Sequence, residues 1–105
     1  MIEMTALELH QHIKENPDIT LIDVRETWEY NVVYIENSVH IPISEIQSKM
    51  HDFDEEQPIA FICHHGIRSR MVGIYFERND FTNIINLRGG IDAWAKTVDN
   101  TMALY

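Results

Sequence analysis

One cysteine is all this chain has, beside four glycines and three prolines. A single thiol excludes an internal disulfide framework, so Cys63 is either a buried inert side chain or a reactive one. Basic residues are also scarce. Eight Lys and Arg face 17 Asp and Glu, and the formal charge of −9 would repel a phosphate backbone, which argues against nucleic-acid binding. Apolar runs such as Ile59 to Cys63 are far too short to span a membrane, and Met1-Ile2-Glu3-Met4 begins no basic-then-apolar leader. The cytoplasm is the expected compartment. Repeats, low-complexity tracts and linkers are missing too, so residues 1–105 are expected to form a single domain.

What is present suffices for a packed interior: 45% of the residues are hydrophobic and 10% aromatic. Thr5-Ala6-Leu7-Glu8 has the form of a capping box, and Leu7, Leu9 and Ile13 follow a helical face, predicting a helix from Thr5 to Glu15. Asn16-Pro17-Asp18 ends it, and Ile19 to Val24 reads as a strand. Glu26 to Tyr30 suits a helical turn. Val39 to Ile43 is a second strand, held to an edge or an end by Pro42. Ser44-Glu45-Ile46-Gln47 repeats the capping-box form ahead of a short helix toward Met50, and the acidic stretch Asp52 to Gln57 reads as a solvated connection. Pro58 to Cys63 is apolar throughout, as a strand covered on both faces requires, and marks the centre of the sheet. Arg68 to Arg78 predicts a helix apolar most of the way round through Met71, Val72, Ile74, Tyr75 and Phe76. A strand from Thr82 to Leu87 follows, then Gly89-Gly90, then a helix through Ala93, Trp94 and Ala95. This alternation predicts an α/β domain with a mainly parallel sheet, whose ligands sit beyond the carboxyl ends of the strands. Cys63 stands at such an end.

Three of the eight Lys and Arg residues fall between Arg68 and Arg78, just after the cysteine. If Cys63-His64-His65-Gly66-Ile67-Arg68 curls between strand and helix, its amides converge, the glycine permits the tight turn, and the helix adds its positive end. Such a cradle favours thiolate over thiol and makes the sulfur a nucleophile at neutral pH. A buried structural cysteine would gain nothing from it.

The stretch Cys63-His64-His65-Gly66-Ile67-Arg68-Ser69 resembles the Cys-x-x-Gly-x-Arg-Ser active-site loop of rhodanese sulfurtransferases. Leu21-Ile22-Asp23-Val24-Arg25-Glu26 is similar to the family's first motif, and Leu87-Arg88-Gly89-Gly90-Ile91-Asp92-Ala93-Trp94 to its last. The resemblance implies a rhodanese-like three-layer sandwich, with five mainly parallel strands between helices on both faces. It also implies double displacement. Cys63 would take a sulfane sulfur from thiosulfate or another small anionic donor, or from a persulfide. The Cys63 persulfide would then pass that sulfur to cyanide, a thiol or a protein, without metal or organic cofactor. Related phosphatases space the two residues as Cys-x5-Arg, whereas Cys63 and Arg68 enclose four residues, a smaller ring suited to a sulfur atom rather than a phosphoryl group.

Within that picture the amides of His64, His65, Gly66, Ile67, Arg68 and Ser69 cradle the outer sulfur. Arg68 either binds the donor's sulfonate or steadies the loop; Ser69 either caps the following helix or touches sulfur. His64 or His65 edges the pocket. A metal is not expected, because adjacent residues in a turn rarely aim at one ion and no second cysteine supports a zinc site. Arg70 and Arg88 are entrance cations or surface ion pairs, Asp23 and Arg25 supporting partners, and Trp28 and Trp94 core residues. A sulfur-relay carrier, or a binding or regulatory module, is the alternative the same motif allows. One segment departs from the family. Where many members carry Gly-His-Ile-Pro-Gly-Ala, this chain has Val33-Tyr34-Ile35-Glu36-Asn37-Ser38, which bears on the wall of the pocket and on the choice of donor and acceptor.

Overall fold

A computed structural model describes residues 1–105. Its elements run β1 (Ile2–Met4), α1 (Ala6–Glu15), β2 (Thr20–Asp23), α2 (Thr27–Val32), β3 (Val39–His40), α3 (Ile43–Lys49), a 3-10 turn at Met50–Asp52, β4 (Ile59–Ile62), α4 (Ile67–Glu77), β5 (Ile84–Leu87) and α5 (Gly90–Thr97). The strands form one sheet in the order β1-β5-β4-β2-β3, with every neighbouring pair parallel. Parallel neighbours need crossover helices, and those helices cover both faces.

Side-chain alternation along β4 builds the two halves of the core. Ile59, Phe61 and Cys63 point into a cluster with Ile46 of α3 and Val72 and Phe76 of α4. Ala60 and Ile62 point the other way, toward Leu9 of α1 and Ile91 and Trp94 of α5. β4 is buried along its whole length, as its unbroken apolar sequence requires. Cys63 continues the same alternation one step past the strand, so the fold carries the thiol to the carboxyl edge of the central strand.

The α1 capping box is present: Glu8 N–H donates to Thr5 Oγ1 (3.2 Å) and Thr5 N–H to Glu8 Oε1 (2.9 Å). The second expected box is not. Pro42, extended at ψ 154°, occupies the N-cap itself, so α3 begins at Ile43 and Ser44 falls inside the first turn. β1 carries too little periodicity to be read from sequence and exists only through its pairing with β5. Leu7 is exposed on α1, because Ala6 and Leu9 take the face that meets the sheet. α4 is less enclosed than its composition suggests: Val72 and Phe76 are buried, whereas Met71 is 66% exposed on the side away from the sheet. Trp28 is 62% exposed rather than in the core and packs edge-on against Tyr105, at 5.8 Å between ring centroids. Trp94 is buried.

The divergent segment after α2 keeps its turn without glycine, with Asn37 at φ 70° taking the left-handed conformation that asparagine tolerates. Tyr34, Ile35, Glu36 and Asn37 line a cavity of about 810 Å³ together with Ile13 and Trp94, and no residue from Cys63 to Ser69 borders it. The departure thus lines a cavity on the α1 and α5 side, and its Val33 carbonyl accepts from Arg25 Nη2 at 2.6 Å.

Candidate active site

The chain leaves β4 at Ile62, turns through Cys63 to Gly66 and enters α4 at Ile67. Cys63 Sγ lies at the inner focus of that turn. Gly66 N–H (3.1 Å) and Ser69 N–H (3.3 Å) donate to it, and Ser69 Oγ lies 3.2 Å away. Two main-chain amides therefore converge on the sulfur, with the Ser69 hydroxyl in reach of both it and Asn86. Ser69 thus touches sulfur and does not cap α4; the N-cap is Gly66. The N–H groups of His64, His65, Ile67 and Arg68 make no hydrogen bond within the chain.

Two elements hold this turn from behind. Asn86 of β5 is buried, accepts from Ser69 Oγ at 2.6 Å through Oδ1, and donates from Nδ2 to the Gly66 carbonyl (3.1 Å) and to Glu3 Oε1 (2.8 Å). The start of α5 clamps the outer side, where Ile91 N–H donates to the Cys63 carbonyl (2.9 Å) and Asp92 N–H to the His64 carbonyl (3.1 Å). Gly66 sits at φ 93° and Gly90 at φ 63°. A Cβ on Gly90 would land on the His64 carbonyl and within 2.5 Å of the Cys63 carbonyl oxygen, both main-chain atoms that cannot step aside. Gly90→Ala is accordingly expected to destabilise the fold by more than about 2 kcal/mol, read as a lowered midpoint in thermal denaturation; an unchanged midpoint would show that this clamp can relax.

Arg68 turns away from the sulfur. Its Nη1 and Nη2 donate to Glu29 Oε1 (2.7 Å) and Oε2 (2.9 Å), which ties α4 to α2. Glu29 also accepts from Tyr105 Oη (2.8 Å) and from Glu26 N–H (3.0 Å). These bonds, the Arg68 ones foremost, hold the Glu29 carboxyl down to about 2. Tyr105 is pushed up to about 12, chiefly by burial, so it stays protonated as it accepts from Arg25 Nη1 (2.8 Å) and donates to Glu29. Arg25 in turn grips Asp23 through Nε to Oδ1 (2.9 Å) and Nη2 to Oδ2 (2.8 Å), both side chains being fully buried. A bidentate pair with its remaining donors satisfied escapes the usual cost of a buried ion pair, and it sets the end of β2 beside the loop.

The His64 and His65 rings lie with their centroids 3.9 Å apart, and His64 also stacks on Tyr105 at 3.9 Å. Burial, and then the neighbouring His65, push His64 below the usual imidazole value. Ile67 is 71% exposed and supplies only its amide to the turn. Arg70 pairs with Glu3 across 3.3 Å, while Arg88 lies exposed on the same side of the loop. Glu29, Asn86 and Tyr105 were not singled out from sequence. Glu29 follows Glu26 at capping-box spacing, and Asn86 is a polar residue inside the otherwise apolar strand Ile84-Ile85-Asn86-Leu87, so both carried a local signal. Tyr105 carried none, since it meets Glu29 from 76 residues away.

Fold and site together define an α/β protein with a cysteine loop at the carboxyl end of the central parallel strand, the sulfur ringed by hydrogen donors. The sequence profile of the Rhodanese-like domain matches residues 5–97, and the chain belongs to that family. It is 29% identical over 92 residues to a thiosulfate sulfurtransferase of Coxiella burnetii, covering 88% of this chain and 85% of that protein. It is 30% identical to a candidate sulfur carrier protein of Bacillus subtilis, across 88% of this chain but only half the length of that relative. The crystal structure of a rhodanese-related protein from Thermoplasma volcanium superposes with a TM-score of 0.83 at 33% identity, covering 93% of this chain and 94% of that one. Sulfur transfer is the chemistry that the names of the two sequence relatives share.

Proposed function

We propose that this chain is a sulfurtransferase working through a Cys63 persulfide. The observation that carries the reading is the convergence of Gly66 N–H, Ser69 N–H and Ser69 Oγ on Cys63 Sγ. In the first half-reaction the thiolate attacks the sulfane sulfur of thiosulfate. A new S–S bond forms, the bond to the sulfonate sulfur breaks, and its electron pair leaves with sulfite. In the second, cyanide or a thiolate attacks the outer sulfur and the cysteine thiolate returns. No net proton or external electron is consumed between the two halves. The amides of His64, His65, Ile67 and Arg68, free of partners within the chain, are the groups available to a second sulfur carried on Sγ.

Mass spectrometry after incubation with thiosulfate tests this. A gain of one sulfur atom at Cys63, lost on adding cyanide, supports the reading; an unmodified thiol together with hydrolysis of an aryl phosphate overturns it in favour of a phosphatase. Ser69 is the first group to vary. Its single hydroxyl proton serves either Asn86 Oδ1 or the sulfur, so it can donate to Sγ when the thiolate forms. Ser69→Ala is expected to slow persulfide formation about a hundredfold, measured in stopped flow, the low end of the range found for loss of one charge-stabilising donor. An unchanged rate would leave the two amides as the working donors.

A protein acceptor is the second reading, favoured by exposed apolar side chains beside the loop. Ile67 is 71% exposed and Met71 66%, and Met71 borders a groove of about 430 Å³ with Ile43, Ile46, Val72 and Tyr75 that reaches Arg68. Persulfide transfer to a protein thiol faster than to cyanide, slowed by Met71→Glu, would establish the relay.

A further inference from the structure

The side chains of His64, His65 and Asp92 stand together and take no part in the sulfur chemistry proposed above. The two histidines are sequence neighbours, which in most turns splay apart. Here their rings tilt by only 31° with centroids 3.9 Å apart. Asp92 comes from the first turn of α5 and is pinned to the loop by its own N–H to the His64 carbonyl (3.1 Å) and by Ile91 N–H to the Cys63 carbonyl (2.9 Å). One ligand atom from each of the three residues lies within 4.8 Å of the other two. Lys96 Nζ takes Asp92 Oδ2 at 2.9 Å, and Oδ1 has no hydrogen-bond partner.

Two imidazole nitrogens and one carboxylate oxygen are the donor set of a borderline divalent ion. Calcium or magnesium would ask for more oxygen ligands than one carboxylate provides. Three protein ligands leave a fourth tetrahedral position for solvent or an incoming anion. The geometry points to a binding site for Zn²⁺, or a divalent ion of like preference, made by His64, His65 and Asp92 on the outer side of the Cys63 loop. Such an ion would bridge β4–α4 to α5 and so stabilise the folded chain in proportion to its occupancy. The site makes no use of Cys63 Sγ and stands or falls apart from the persulfide reading.

The test is calorimetric titration of Zn²⁺ into the Cys63→Ser protein, which removes adventitious thiolate binding. One ion per chain and a thermal midpoint that rises with free Zn²⁺ are expected. Asp92→Asn and His65→Ala, the latter at an exposed position, should each weaken binding by more than about tenfold, with circular dichroism confirming that both variants fold. In the unsubstituted protein, Co²⁺ should give visible ligand-field bands without a thiolate-to-metal band in the near ultraviolet. Affinity unchanged in both variants, failure of Cys63→Ser to bind Zn²⁺, or a thiolate band with Co²⁺ would each overturn the assignment.

Discussion

Replacing Cys63 by serine is expected to reduce sulfur transfer from thiosulfate by a factor of about 10⁴ or more, because the covalent carrier itself is lost. Serine is close to isosteric and keeps an acceptor for Gly66 N–H and Ser69 N–H, so the loop has little reason to rearrange. Its hydroxyl stays protonated at neutral pH, however, and an oxygen cannot carry sulfane sulfur as a persulfide does. The thermal midpoint should shift little, since the change trades one small atom within a packed cluster for a cost of about 1 kcal/mol. Turnover and folding are thereby separated. The measurement is thiocyanate production with thiosulfate and cyanide, alongside intact-protein mass. If the serine variant kept full turnover, the nucleophile would lie elsewhere.

The second large effect concerns Glu29, which joins α2 to Arg68 at the start of α4, just after the Cys63 loop. Its carboxyl is held from an ordinary 4.5 down to about 2, first by the two hydrogen bonds from Arg68. The residue is only 4% exposed, so the shift is converted to energy without a large solvent discount. At about 1.36 kcal/mol per pKa unit, this shift corresponds to about 3 kcal/mol. The sign follows from which state takes up the proton first. As pH falls the unfolded chain is protonated near 4.5, while the folded chain resists until about 2, so the contribution is complete above the first value and lost on descending through the second. Glu29→Gln is expected to lower stability at pH 7 by about 2–3 kcal/mol and to flatten the loss of stability below pH 4.5, measured by urea unfolding across that range. Parallel pH curves for the two proteins would contradict this. Because Arg68 would lose its ionic partner, the variant should also form persulfide more slowly at pH 7, by about tenfold.

The two variants report on different layers of the site. Cys63→Ser removes the reacting atom and spares the scaffold; Glu29→Gln spares the reacting atom and loosens the loop through Arg68. A protein in which both gave the same folded, inactive product would have its stability determined elsewhere, such as at the buried Asp23–Arg25 pair.

Most of the architecture was legible because its signals are local. The Thr5-Ala6-Leu7-Glu8 box starts α1, Pro17 separates it from β2, and the unbroken apolar run before Cys63 marks the central strand. The spacing from Cys63 through Gly66 and Arg68 to Ser69 marked the loop. Readings that failed depended on which of two available faces meets the sheet: Leu7 lost the interior to Ala6 and Leu9, and Trp28 packs on Tyr105 at the surface. Ser44 lost its capping role to Pro42 for a backbone reason, the proline already holding the extended conformation an N-cap needs.

By itself the sequence determined the α/β alternation, the position of the thiol at a strand end and the turn that follows it, because hydrophobic period, glycine and proline act over a few residues. Only the tertiary structure decided what each side chain of the site touches. Arg68 could have met a donor or an ion pair until α2 brought Glu29 to it, and Ser69 could have capped a helix until the turn set its hydroxyl on sulfur. Asp92 gained its place beside His64 and His65 from main-chain bonds between the loop and α5. Contacts between residues far apart in the chain depend on how the layers pack, and no local pattern encodes that distance.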